Sequence, residues 1–190
     1  MNQRKIIVFC GPSGSGKTSI VKDLLNYFSE LAFSISATTR DKRKNEVDGQ
    51  DYYFIPLTLF TEKITKGEFV EFEEVYQDIY YGTRWAEIER IISIGKIPIL
   101  DIDVYGATTI KEKYKTEAFV FFVHPGNEDN ILKRLSKRST ENEESMLKRL
   151  AKSREEMLFA NNFDHCINND GQLSDTITEV RRLVQRIIDL

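Results

Sequence analysis

The sequence predicts an α/β protein with a central parallel β-sheet covered by helices on both faces. Short apolar runs, typical of buried strands, alternate along the chain with segments whose apolar residues recur at helical spacing. The first apolar run leads directly into a glycine-rich loop and then into a helix. Strands that alternate with helices form parallel sheets. In such sheets ligands bind at the carboxyl ends of the strands, so we expect the site there.

The composition indicates one compact domain that carries inserted lobes. The chain has 190 residues, of which 41% are hydrophobic and 30% are charged, and its formal net charge is −3. Because the protein is not strongly basic, a nucleic-acid partner is not expected. The apolar run after Lys5 is too short for a signal peptide or a membrane span, so a membrane partner is not expected either. Cys10 and Cys166 form no Cys-x-x-Cys pair, and the expected location is a reducing cytoplasm.

The first predicted strand, residues 6–10, is followed by a phosphate-binding loop. Residues 11–18 read GPSGSGKT, which fits the pattern G-x-x-x-x-G-K-[ST], and a helix is predicted over residues 19–25. Glycines let backbone N–H groups approach phosphate oxygens, and the helix N-terminus adds donors and the positive end of its dipole. A glycine-rich turn without a ligand is the alternative, but the full pattern favours a nucleoside triphosphate site. Its residues are Gly11, Pro12, Ser13, Gly14, Ser15, Gly16, Lys17 and Thr18.

Three side chains are candidates for handling the charge of the triphosphate. Lys17 reaches the β- and γ-phosphates in such loops, and the Thr18 hydroxyl is a ligand for Mg²⁺. Asp101 ends the apolar strand predicted over residues 97–103, which is where phosphate-loop proteins carry the acid that organises the magnesium. An ordinary strand-end residue is the alternative for Asp101. We expect Thr18 and Asp101 to form the Mg²⁺ site.

The next elements build a smaller unit that is inserted into the main domain. A strand over residues 32–36 opens into a polar, cationic segment in which Arg40 and Arg43 lie close together. These arginines are either a solvated charge run or a clamp for a second phosphate group, because guanidinium binds phosphate bidentately. The remaining predicted elements of this unit are a strand at 52–55, a helix at 57–66 and a hairpin of strands at 69–73 and 79–83. Residues 37–84 are therefore predicted to form an inserted lobe.

The rest of the chain continues the alternation of helices and strands. The predicted helices cover residues 85–94, 108–115, 128–137, a long segment from a capping box at Thr140 to residue 159, and an amphipathic C-terminal segment from 173 to 187. The further predicted strands cover residues 97–103, 118–123 and 166–168. Arg134, Arg138 and Arg149 flank the capping box. They are either exposed partners of glutamates or arginines that close over a transferring phosphate.

Seven segments together resemble the guanylate kinases, and the resemblance covers nearly the whole chain. They are residues 11–18, residues 34–40 with Arg43 and Glu46, and residues 49–54, 68–71, 80–83, 99–103 and 138–141. The resemblance implies a P-loop NTPase three-layer fold with a central parallel sheet, a GMP-binding lobe at 37–84 and a short lid at 126–159. The core would then be residues 1–36, 85–125 and 160–190. It also implies that the γ-phosphate of ATP passes to GMP, and also to dGMP, with Mg²⁺, giving ADP and GDP in purine nucleotide metabolism.

The same resemblance implies roles for individual residues. The phosphate of GMP would bind Arg40, Arg43, Tyr52 and Tyr81, and the guanine would bind Ser36, Glu71, Thr83 and Asp103. The catalytic residues would be Lys17, Arg40, Arg43 and the lid arginines Arg138 and Arg149, and Asn169 would lie on the adenine side of the ATP site. These residue types suit the chemistry, since an ionised glutamate accepts two parallel hydrogen bonds from the ring N–H and the exocyclic amine of guanine.

The sequence departs from the family pattern at two places and leaves two other functions open. Tyr105 stands before Gly106 where the family usually has glutamine, and the turn at residues 77–79 lacks the usual glycine. One alternative function is a catalytically inactive, guanylate-kinase-like module that binds proteins, and the other is a P-loop kinase for a different phosphorylated acceptor. The intact phosphate loop argues against the first, and Glu71 together with Ser36 argues against the second. The sequence is compatible with either a monomer or a homodimer.

Overall fold

The computed structural model describes residues 5–127, 130–132, 134 and 143–190. The capping box predicted at Thr140 and most of the helix predicted over residues 128–137 lie outside these residues. The strands are β1 (Ile6–Cys10), β2 (Leu31–Phe33), β3 (Ala37–Thr38), β4 (Tyr53–Phe54), β5 (Phe69–Tyr76), β6 (Ile79–Arg84), β7 (Ile97–Asp101), β8 (Ala118–His124) and β9 (His165–Asn168). The α-helices are α1 (Lys17–Tyr27), α2 (Leu57–Thr65), α3 (Trp85–Ser93), α4 (Val104–Tyr114), α5 (Glu143–Met157) and α6 (Leu173–Asp189).

The central sheet is parallel throughout, which confirms the predicted fold class. Its strand order is β2-β7-β1-β8-β9, so β1 lies in the middle between β7 and β8. Every residue of β1 is fully buried. A strand in this position is covered on both faces, and this explains why its sequence is continuously apolar instead of alternating with polar residues.

Alternate residues of β1 contribute to two hydrophobic clusters on opposite faces of the sheet. Ile7 and Phe9 pack with apolar side chains of α1 and α6. Ile6, Val8 and Cys10 pack with apolar side chains of α3 and α4. This arrangement forms the three layers, and it fixes the carboxyl end of β1, where the phosphate loop begins.

A second sheet is built from the strands between residues 37 and 84. Its strand order is β4-β3-β6-β5, with β5 and β6 paired as an antiparallel hairpin. Helix α2 covers one side, where the Phe60 and Phe69 rings stack with centroids 4.4 Å apart. These residues coincide with the predicted lobe, whereas the division of the chain into core, lobe and lid stays a prediction.

Several element boundaries differ from the predicted ones by a few residues, and two of these differences bear on the site. The strand predicted over residues 32–36 ends at Phe33, and the next residues link the two sheets, with Ser34 N donating to Ile99 O at 2.9 Å. The helix predicted from Thr108 begins at Val104, because the Asp103 carboxylate caps it by accepting from the N–H groups of Tyr105 and Gly106. Within the described part of the chain, the helices are too short or too polar to cross a lipid bilayer.

Candidate active site

The phosphate loop adopts a backbone conformation that requires its glycines. Gly11 has φ of +126°, and a Cβ there would lie 2.7 Å from the carbonyl oxygen of Val123 on β8. Gly16 has φ of +103° and is the residue immediately before α1. Residues with a Cβ rarely adopt such φ values. The positions of these glycines in the sequence therefore predict the backbone conformation of the loop.

Arg134 and Asn169 support this loop from below. The Arg134 guanidinium donates to the carbonyl oxygens of Ser15 at 3.0 Å and Asn169 at 2.6 Å. The Asn169 amide, which is only 2% exposed, donates to Ser15 O at 2.7 Å and accepts from the Thr176 hydroxyl at 3.1 Å. Asn169 therefore contacts the loop itself, and its predicted adenine contact stays a prediction. The sequence does not predict that Arg134 supports the loop. The feature that draws attention to this residue is its place in the sequence near other arginines.

The three residues predicted to handle triphosphate charge lie at the loop. Lys17 Nζ donates to the carbonyl oxygens of Gly11 at 2.6 Å and Pro12 at 3.1 Å, so the side chain folds over the loop. Thr18 Oγ1 donates to Asp101 Oδ2 at 2.8 Å. A hydroxyl and a carboxylate side by side are the hard oxygen donors that Mg²⁺ prefers, and Mg²⁺ commonly takes few protein ligands beside water and phosphate oxygens. The residues present therefore fit this ion.

Arg40 is held in a fixed orientation by residues of the second sheet and the loop beside it. Its guanidinium makes a bidentate pair with Glu46, at 2.8 and 3.0 Å, and its Nε donates to the Tyr81 hydroxyl at 3.0 Å. Although burial raises it, the pKa of Glu46 is held below its ordinary value by hydrogen bonds from Arg40 and from the Arg43 backbone. Tyr52 lies beside this group, with its ring 5.7 Å from that of Tyr81. Glu46 belongs to the resemblance in the sequence, but the sequence assigns it no function.

The end of the site where the sequence predicts that the acceptor binds, here called the acceptor end, contains buried side chains of the second sheet and of the link that leads to it. Ser36 lies in the link between the sheets, and Glu71 and Thr83 face each other across the β5–β6 hairpin. Glu71 is only 5% exposed. Burial raises the pKa of Glu71 to about 7, and Glu71 Oε1 and Thr83 Oγ1 are both buried without a hydrogen-bond partner among the described residues. A carboxyl group with a pKa near 7 is about half ionised at neutral pH. A hydrogen-bond donor that reaches it favours the ionised form and lowers its pKa.

Asp103 divides its two oxygens between the helix and the cavity. Oδ1 accepts from Tyr105 N at 3.1 Å and Gly106 N at 2.9 Å. Oδ2 is buried without a hydrogen-bond partner among the described residues, and Lys152 Nζ of α5 lies 3.7 Å from it. Lys152 also lies 4.0 Å from Glu156, whose pKa burial raises to about 7. The sequence does not predict that Lys152 and Glu156 line the site, because a charged helix face is normally exposed to solvent.

One cavity of about 250 Å³ joins the phosphate loop to the acceptor end. Gly11, Ser13 and Lys17 line it on one side, and Arg40 and Glu71 line it on the other. The other predicted residues that line it are Ser36, Arg43, Tyr52, Tyr81, Asp101, Asp103 and Arg149. The predicted lid arginine Arg138 lies outside the described residues. Two phosphorylated ligands could therefore meet in a single cavity that is rich in basic and acidic groups.

Comparison with known proteins identifies the family. A family model described as guanylate kinase matches residues 3–187, which is nearly the whole chain. The chain belongs to the guanylate kinase family. A guanylate kinase of Thermotoga maritima is 40% identical over 181 residues, covering 95% of this chain and 86% of that protein. A guanylate kinase of Porphyromonas gingivalis is 39% identical over 185 residues, covering 97% and 98% respectively.

A solved structure has the same fold. The crystal structure of guanylate kinase from Anaplasma phagocytophilum superposes with a TM-score of 0.78, at 24% identity, and covers 98% of this chain and 87% of that one. A gluconokinase structure from Sinorhizobium meliloti gives a TM-score of 0.53 at 15% identity. The P-loop NTPase fold that the sequence predicts is thus confirmed.

The two departures from the guanylate kinase pattern have local structural solutions. Asp78 has φ of +61°, which aspartate tolerates better than most residues, and its N–H is bound by Glu74 Oε1 at 2.9 Å. The turn therefore closes the hairpin without glycine. Tyr105 supports Asp103 only through its backbone N–H, which any residue other than proline supplies, and its ring packs on Phe159 at 5.2 Å.

Proposed function

We propose that this member of the guanylate kinase family transfers the γ-phosphate of ATP to GMP, and likewise to dGMP, giving ADP and GDP. The single observation that supports this most strongly is the continuous cavity, which has a phosphate loop at one end and a buried Glu71 with a braced Arg40 at the other. The phosphate loop suits a nucleoside triphosphate. The arginine and the buried acid at the other end suit the phosphate and the base of a second nucleotide. Purine nucleotide metabolism in the cytoplasm is the proposed setting.

The acceptor phosphate binds Arg40, Arg43, Tyr52 and Tyr81 in this proposal. Arg40 is already orientated by Glu46 and Tyr81, so little side-chain entropy is lost when it meets the phosphate. The Arg43 side chain is about half exposed, at 55%, and its Nη1 lies 4.0 Å from Glu46 Oε1, so only this long contact has to be given up when it turns toward the ligand. One N–H group on Nη2 of Arg40 has no partner among the described residues, and Arg43 adds further charge-assisted donors to the phosphate.

The guanine base binds Ser36, Glu71, Thr83 and Asp103. The ionised Glu71 carboxylate accepts from the ring N–H and the exocyclic amine, while the Ser36 hydroxyl donates to the carbonyl oxygen. Adenine has an unprotonated ring nitrogen at the corresponding position and would leave the buried carboxylate without a donor. Oδ2 of Asp103, which accepts no hydrogen bond from the described residues and lies 3.7 Å from Lys152 Nζ, provides a further acceptor at the same end.

Lys17 and the lid arginines Arg138 and Arg149 are proposed to neutralise the charge that develops during transfer. The loop residues 11–18 are proposed to hold the ATP phosphates, and Asn169, whose amide donates to Ser15 O, is proposed to lie on the adenine side. Mg²⁺, held by Thr18 and Asp101, supplies electrostatic stabilisation to the phosphates when it is bound. Since in-line transfer requires mainly positioning and neutralisation, these groups suffice without a nucleophile from the protein.

The division into a core, a lobe at 37–84 and a lid at 126–159 provides for closure around both nucleotides. Water must be kept from the γ-phosphate, or ATP would be hydrolysed instead of transferred. The lobe carries Arg40 and Glu71, and the lid carries Arg149, so both must approach the core before transfer begins. The number of subunits, monomer or homodimer, does not alter this scheme.

A panel of acceptors in a coupled assay for ADP release tests the proposal. GMP and dGMP are expected to support turnover with Mg²⁺ and ATP, whereas AMP, CMP, UMP and gluconate are not. Turnover with another acceptor in preference to GMP would indicate a different P-loop kinase. Absence of turnover with all of them, together with a folded protein, would favour the protein-binding module.

A further inference from the structure

The first turn of helix α4 presses against the Glu71 carboxylate at a position that carries no side chain. A Cβ atom on Gly106 would lie 2.6 Å from Glu71 Oε2 and 3.1 Å from Glu71 Cδ. Real Cβ atoms do not approach other heavy atoms this closely, so the carboxylate occupies the space that any other residue would fill. Gly106 is therefore in contact with a buried acid of the acceptor end.

The conformation of Gly106 does not itself require glycine. The residue lies inside α4, and its φ is not in the left-handed region that glycines such as Gly16 adopt. Glycine is a poor helix former, and at an ordinary position in a helix alanine would be more stable. Among the described residues outside the helix backbone, the three atoms nearest to an added Cβ are Oε2 and Cδ of Glu71 and, at 3.4 Å, Cδ1 of Ile102. The requirement for glycine thus comes from the Glu71 side chain.

Helix α4 is anchored on both sides of this contact, so it cannot easily move away from Glu71. Asp103 caps the helix and binds the N–H of Gly106 itself at 2.9 Å. Lys113, further along α4, donates to the carbonyl oxygen of Val70, the neighbour of Glu71 on β5. A side chain at position 106 would therefore displace the carboxylate instead of the helix.

We infer that Gly106 is a specificity-determining position, which sets where the Glu71 carboxylate stands and thereby the preference for guanine. The inference rests on the proposed function, because it gives Glu71 the role of reading the base. Two parallel hydrogen bonds to a base require the carboxylate to lie in the plane of that base. Displacement by about 1 Å is commonly sufficient to cost on the order of 10²-fold in kcat/KM.

The test is Gly106→Ala, with Glu112→Ala as the matched control on the exposed side of the same helix. Steady-state kinetics with GMP and with ATP, and thermal unfolding, are measured for both variants and for the wild type. Gly106→Ala is expected to lower kcat/KM for GMP by about 10²-fold while KM for ATP changes by less than about twofold. Glu112→Ala is expected to match the wild type in all these quantities.

A second substitution separates displacement of Glu71 from a general loss of structure. Glu71→Asp shortens the acid by one methylene and leaves space for the added Cβ. In the Glu71→Asp background, Gly106→Ala is therefore expected to change kcat/KM for GMP by less than about threefold, a strong coupling of the kind that contacting residues show. This comparison holds even if Gly106→Ala alone fails to fold.

The outcomes are distinct. If the wild type phosphorylates GMP and Gly106→Ala does so within twofold of it, the inference about Gly106 is wrong and the proposed function stands. The inference is equally overturned if Gly106→Ala costs the same factor with and without Glu71→Asp. If the wild type does not phosphorylate GMP at all, the proposed function fails first.

Discussion

Replacing Glu71 with glutamine tests how the base is read. The substitution keeps the size of the side chain but exchanges one acceptor oxygen for an amide donor, which would face a donor of guanine. Two charge-assisted contacts are reduced to one neutral contact, a loss of about 2–3 kcal/mol or roughly 10²-fold in kcat/KM for GMP. KM for ATP should be nearly unchanged, because Glu71 lies at the acceptor end of the cavity.

The pH dependence provides a second, independent measurement on the same pair of proteins. Burial raises the pKa of Glu71 to about 7 in the free protein. Only the ionised form accepts both donors, so the wild-type kcat/KM for GMP should rise by up to tenfold per pH unit below about 7 and level off above it. Glutamine does not titrate, so this component should be absent from the variant.

The phosphate of GMP also titrates, with a second pKa of about 6, and this is why the comparison needs both proteins. The phosphate contributes equally to the wild type and to Glu71→Gln, so their ratio isolates Glu71. The assay is coupled ADP release at saturating ATP, with GMP and AMP as acceptors, between pH 5.5 and 8.5. A ratio that does not change with pH, or a variant that keeps the wild-type preference for GMP over AMP, would refute the reasoning.

Three further predictions follow from other parts of the site. Lys17→Ala should lower kcat by a factor equivalent to about 3–4 kcal/mol, with little change in thermal unfolding, and a kcat within a few fold of the wild type would remove Lys17 from the transfer step. Glu46→Gln should weaken the bidentate support of Arg40 and raise KM for GMP by about tenfold, while the preference for GMP over AMP stays the same; a changed preference would contradict the separation of phosphate and base contacts. Small-angle scattering should give a smaller radius of gyration with GMP and an ATP analogue together than with neither, and equal dimensions would rule out closure of the lobe and lid.

The elements that the sequence predicts correctly are those whose patterns are local. The phosphate loop is specified by consecutive residues, and the glycine at 16 has the positive φ that the pattern requires. The apolar run of β1 gives the strand but not its neighbours. Its place between β7 and β8 depends on contacts with residues about a hundred positions away, for which a single sequence contains no pairing signal.

One boundary was predicted wrongly because a side chain has two possible uses. Asp103 suggests the end of a strand, yet in the structure its carboxylate caps α4 and starts that helix four residues earlier than predicted. The support of the phosphate loop by Arg134 was also missed. The arginine lies 120 positions from Gly14 in the sequence, and neither predicted role, an exposed partner of a glutamate or an arginine that closes over a phosphate, involves the loop backbone.

If Glu71 binds guanine as proposed, its burial explains how an acid can discriminate between neutral bases. Burial raises the pKa of both Glu71 and Glu156 to about 7, so at neutral pH each has given up part of the stability that an exposed carboxylate would retain. For a carboxyl group with a raised pKa, this loss grows as the pH rises through the interval between its unfolded and folded values. A ligand with two hydrogen-bond donors offsets the free energy lost by ionising the buried Glu71. A ligand without donors leaves that loss uncompensated. The preference for guanine would thus arise as much from the penalty on the wrong base as from the attraction of the right one.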